Sequence, residues 1–130
     1  MEDNPLKVID LDNDAVLKVY DRSRKIAGDR WFLSIAVQVE ISVHQLNSIS
    51  IEGYGTINPD DMARDMGDVI IYEQKIERNF VDSGQKDLLF EQLLESYLNN
   101  STAYLSHKNF PIRYASKIYR DYLEKQKWYK

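Results

Sequence analysis

The chain has 130 residues, 43% of them apolar and 12% aromatic, with a formal net charge of -4. That is material for one domain with a real core, which excludes a disordered tail or a collagen-like repeat. No apolar run approaches the roughly 18 residues of a membrane-spanning helix, and cysteine is absent, removing disulfides, thiol catalysis and thiolate metal sites.

The start, Met1-Glu2-Asp3-Asn4-Pro5, is acidic and polar. It lacks the basic and apolar regions of a secretory leader, so a cytoplasmic, membrane-free setting is expected. Asp10, Asp12 and Asp14 alternate like the first half of a calcium loop. The sixth loop position would be Ala15, where the sharp turn needs Gly, and the twelfth Asp21 instead of Glu. The segment is read as a polar lead-in to a strand.

A strand is predicted from about Ala15 towards Ile26, and a longer one over 30–43. Every second residue from Trp31 to Val43 is apolar. Period two over that length means a strand with one buried face. At about 3.3 Å per residue it would outrun an ordinary strand, so it should bend or bulge. Ala27-Gly28-Asp29 makes the turn between the two.

Register follows from pairing side chains. A two-residue loop would set Lys18 against Val39 and Arg22 against Ile35. A three-residue loop, or its equivalent with a bulge, sets Leu17 against Val39 and Val19 against Val37. Only the second separates apolar from polar. It leaves Ile35, Leu33 and Trp31 facing Asp21, Ser23 and Lys25 in turn, with nothing apolar from the first strand to cover them. A helix or a second subunit must do so, and a homodimer interface at Trp31, Leu33 and Ile35 is expected. Arg22, Arg24, Lys25 and Arg30 make the hairpin tip basic.

A short edge strand is expected at 47–52. Asn58-Pro59-Asp60-Asp61 starts a helix that Gly67 ends, with Asn as cap and Pro at the first position. A strand over 68–81 carries Ile70, Tyr72, Ile76 and Phe80 on one face. Gln74 and Arg78 interrupt it, marking an edge or a bulge. Asp82-Ser83-Gly84-Gln85 is a variant capping box. The helix after it, over 84–105, turns Phe90, Leu94 and Tyr97 inward and Asp87, Glu91 and Glu95 outward. A last helix spans 111–127, with Ala115 and Tyr119 inward and Arg113, Lys117 and Arg120 on its exposed side.

Charge is uneven along the chain. Residues 107–130 hold seven Lys/Arg against two Asp/Glu, while the acids dominate before them. Arg22, Arg24, Lys25, Arg30, Arg113, Lys117 and Arg120 are therefore the candidate anion-binding residues. Tyr114, Tyr119, Tyr122, Trp128 and Tyr129 stand near the second group as candidate stacking rings. No Gly-rich phosphate loop and no Gly-x-Ser-x-Gly are found, and the two histidines, His44 and His107, lie far apart in sequence. Asp60, Asp61, Asp65 and Asp68 are explained as helix-start acids. No catalytic residue, metal or cofactor is expected.

The expectation is a single α+β domain over 1–130. An antiparallel meander of three to four strands, with a long first hairpin, packs against two C-terminal helices. Such a domain fits a non-catalytic cytoplasmic assembly or adaptor role through protein–protein contacts, as a homodimer. The alternative is a nucleic-acid-binding accessory protein using the basic tip and the basic helix, against which the pI of 5.2 counts. A third is a small enzyme or ligand-binding domain with a site between sheet and helices.

Overall fold

In a computed structural model, which describes residues 4–128, the alternating run becomes β4 (Arg30–Ser42). Met1–Asp3, Tyr129 and Lys130 lie outside the described residues. One edge of β4 pairs with β2 (Val16–Asp21) and β3 (Arg24–Ala27), the other with β7 (Val69–Asp82), and β1 (Lys7–Asp10) flanks β2. All pairs are antiparallel. Between β4 and β7 the chain makes a 3-10 turn, a hairpin of β5 (Ile49–Ile51) and β6 (Gly55–Ile57), and α1 (Pro59–Met66). The helices α2 (Lys86–Leu105) and α3 (Phe110–Trp128) follow.

This is the expected α+β architecture in meander-like order, with five strands in the main sheet instead of three or four. One extra strand is β1, with only Val8 and Ile9 as apolar residues to announce it. The other arises because the first long strand breaks at Arg22-Ser23. There the Ser23 hydroxyl accepts from Ser34 N at 3.0 Å and the Asp21 carboxylate accepts from Ser23 N at 3.0 Å, so side chains replace ladder bonds.

The register is the expected one: Leu17 pairs with Val39 and Val19 with Val37. It is reached through a bulge. Ala27 pairs with Arg30 across Gly28-Asp29, and Ile26 is the extra residue that restores the long-strand pairing at Lys25 and Trp31. Leu17, Val19, Val37, Val39 and Ile41 join Phe90 and Leu94 of α2 and Phe110, Ala115 and Tyr119 of α3 in one buried cluster.

The expected interface needs correction. Leu33 and Ile35 are 0% exposed and lie inside the chain's own core. Trp31 is half-buried, with the Lys86 ammonium 4.6 Å from its ring centre. β7 runs alongside β4 to its end, pairing Ile76 with Ile35 and Val81 with Trp31, and α2 starts just beyond. The cover expected from a second subunit is thus supplied by the same chain.

Two further local expectations change. Phe80, placed on the apolar face, is 70% exposed and has φ 56° at a bulge, where β7 spends one extra residue opposite Phe32. Such a left-handed aromatic residue costs on the order of 1–3 kcal/mol. The capping box does not form. Asp82 is still in β7, and its carboxylate accepts from Gly84 N at 2.8 Å to close the turn, so α2 starts at Lys86 without a side-chain cap. α1 is capped as expected, with Asn58 Oδ1 accepting from Asp60 N at 2.8 Å.

Three hydrogen bonds set the helices. Asn13 Nδ2 donates to Leu105 O at 2.8 Å and to His107 O at 2.9 Å, clamping the α2–α3 corner to the β1–β2 turn. The hydroxyl of buried Tyr119 donates to Asp65 Oδ2 at 2.6 Å, tying α3 to α1.

Val39→Ala should lower stability by about 1–3 kcal/mol in denaturant melts, through lost burial and the cavity left behind; a loss near zero would mean the other face of β4 is the buried one. Burial, with Asp65 beside it, pushes the Tyr119 phenol up to about 12, and burial pushes Tyr97 to about 12. The fold holds both rings neutral. Their contribution is therefore complete below the ordinary tyrosine value of 10.0 and disappears as pH climbs through about 12. Spectrophotometric titration should show phenols that ionise late, with Tyr97 and Tyr119 among them, and Tyr119→Phe should remove one.

Candidate anion-binding groove

Arg113, Lys117 and Arg120 recur at helical spacing and so share one side of α3. Pro111, Ala115 and Tyr119 are buried, and this fixes the rotation that turns the row outward. Opposite it runs β5 with the residue after it. Together they form a groove of about 280 Å³, with Ile51 and Ile112 as apolar lining, Ser50, Ser116 and Glu52 as polar lining, and the three cations along one wall. Ser116 Oγ donates back to Ile112 O at 2.7 Å, so its proton is already used. Among the described residues, none of the three cations forms an ion pair.

The hairpin-tip cations have a different environment. Arg22 lies 3.7 Å from Glu73 Oε2, its guanidinium 5.2 Å from the Tyr20 ring centre. Arg24 covers Phe32 at 5.1 Å. Arg30 Nη1 is 3.5 Å from Asp82. Lys25 is exposed, paired in the strand with Trp31. Tyr20, Arg22 and Arg24 stand on the sheet face that bears no helix, so the fold does not merge the tip with the α3 row.

The candidate stacking rings near α3 are largely engaged. Tyr114 meets Tyr72 edge-on at 5.2 Å and stacks on Phe110 at 6.1 Å. Tyr119 stacks on Tyr122 at 5.7 Å. Trp128, at the end of α3, is exposed.

The histidines are not brought together. His44 Nε2 lies 2.9 Å from Asp68 Oδ1, and its Nδ1 lies 3.6 Å from Asp60 Oδ1, so the ring bridges the two ends of α1. His107 Nδ1 accepts from Asn109 N at 3.1 Å within its own turn. No group of three metal-ligating side chains occurs among the described residues. A second cavity of about 270 Å³, beside the β1–β2 turn, is lined by Asp12, Asp14, Gln45, Asn47 and Lys108 over Ile41 and Pro111.

Sequence reasoning named the cationic wall of the groove residue by residue and missed the wall facing it. Ser50, Ile51 and Glu52 reach α3 only because the chain folds back after β4, and no local pattern signals that return.

The hydrogen bond that the His44 ring donates to the Asp68 carboxylate raises His44 above its usual 6.5, with the Asp60 carboxylate adding to it. A base raised in the fold favours the folded state most below 6.5, and that contribution is lost as pH rises through the raised value. NMR titration should place the His44 midpoint above 6.5, and Asp68→Asn should move it back down. An unchanged midpoint in Asp68→Asn would show that the bond does not form in solution.

Comparison of the chain with protein-family models, with curated proteins and with solved structures gives no match.

Proposed function

We propose that the protein is a non-catalytic assembly module that binds a protein partner, docking an acidic, partly apolar segment in the groove between α3 and β5. One observation carries this reading: Arg113, Lys117 and Arg120 line an open groove with no carboxylate in ion-pair contact among the described residues. A row of unmatched cations beside apolar side chains is complementary to a segment that brings both acids and an aliphatic anchor. A cytoplasmic setting goes with it, since a cysteine-free chain needs no oxidising compartment.

Nucleic acid fits the groove less well. Base recognition by a single-stranded binder needs ring faces free for stacking beside the cations. Tyr114, Tyr119 and Tyr122 are engaged with other rings, and the chain is acidic overall.

Fluorescence anisotropy with a labelled peptide alternating glutamate and leucine tests the reading against a labelled single-stranded oligonucleotide. The peptide should bind, and the pair Lys117→Glu with Arg120→Glu should weaken it by about tenfold or more. Absence of peptide binding at low salt would overturn the proposal. Tighter binding of the oligonucleotide would replace it with the nucleic-acid reading.

A further inference from the structure

The groove asks for an acidic surface with an apolar anchor, and the chain carries one of its own. On α2, Glu91 and Glu95 stand one turn apart, with Leu88 on the same outward side, away from buried Phe90 and Leu94. Leu88, beside the two acids, is 64% exposed. Among the described residues neither glutamate forms an ion pair, although Lys7 borders the same concavity. The acidic row and the cationic row thus belong to one chain and do not neutralise each other within it.

Resting on the docking role proposed above, we infer that the occupant of the α3 groove is α2 of a second copy of this chain, in a closed twofold dimer. The match holds in spacing as well as sign. Glu91 to Glu95 and Arg113 to Lys117 are both steps of four residues, about 6 Å along a helix, so two ion pairs form together. Exposed ion pairs alone hold little. Leu88 adds the apolar contact, set against Ile51 and Ile112 on the floor of the partner's groove. Twofold symmetry makes the arrangement self-consistent, because each copy offers its α2 and receives the other's. Leu33 and Ile35 take no part; the homodimer is built from the helices and not from the hairpin tip.

A charge swap tests this directly. Arg113→Glu with Lys117→Glu turns α3 acidic, and Glu91→Lys with Glu95→Lys turns α2 basic. All four positions are exposed, and circular dichroism melts should show both variants folded. In sedimentation velocity at low salt the unmodified chain should run as a dimer that dissociates as salt rises. Each variant alone should weaken the dimer at least about tenfold, since like charges then meet in both contacts. The equimolar mixture should restore it, because both contacts become complementary again. Leu88→Ala should weaken it without changing its salt dependence. An unmodified chain that stays monomeric, or a mixture that fails to re-associate, overturns the inference. If the monomeric chain still binds the glutamate–leucine peptide through Lys117 and Arg120, the docking role stands and only its occupant is wrong. If it binds neither, both fall.

Discussion

The fold depends on one constraint: β4 has thirteen residues and an unbroken apolar side that must be buried along its length. Leu33, Ile35, Val37, Val39 and Ile41 all point the same way, so a slip of one residue would turn every one of them to water. Both long edges of β4 are therefore paired, and α2 lies across the buried face. The bulge at Ile26 and the bulge before Val81 are the local adjustments that let neighbouring strands keep step with β4 to its end. The exposed Phe80 is the cost of the second adjustment.

Much of this was legible in the sequence because alternation is a local signal. Leu17 against Val39 could be chosen over Lys18 against Val39 from side-chain character alone. The cap at Asn58 and the stop at Gly67 were legible for the same reason, each being set within a turn. What escaped was long-range. Nothing between residues 30 and 43 reveals that Ile76 and Val81 will flank Ile35 and Trp31, so an apolar strand end looked uncovered when its cover lay far downstream in β7. The same blindness hid half of the groove. Arg113, Lys117 and Arg120 declared themselves by helical spacing; Ser50 to Glu52 did not, because their relation to α3 exists only in the folded chain.

The candidate cations divide by their company rather than by their charge. At the hairpin tip every arginine has an anion or a ring within reach: Glu73 and Tyr20 for Arg22, Phe32 for Arg24, Asp82 for Arg30. These contacts order the solvent-facing side of an antiparallel sheet, where polar cross-strand partners are the ordinary solution. On α3 the row looks across a groove at a serine, an isoleucine and a glutamate. A count of basic residues treats the two groups alike; their surroundings do not.

The clamp made by Asn13 carries a consequence for how the molecule is made. Its two hydrogen bonds reach across 92 and 94 residues. Synthesis proceeds from the N-terminus, so the β1–β2 turn emerges from the ribosome long before the carbonyls of Leu105 and His107 exist. Through that interval the Asn13 Oδ1 can accept from Ala15 N in its own turn, but its Nδ2 lacks both carbonyl acceptors. A chain that stops short of His107 lacks the acceptors that close the corner between α2 and α3. Asn13 thus ties closure of the α2–α3 corner to the synthesis of residues 105 to 107.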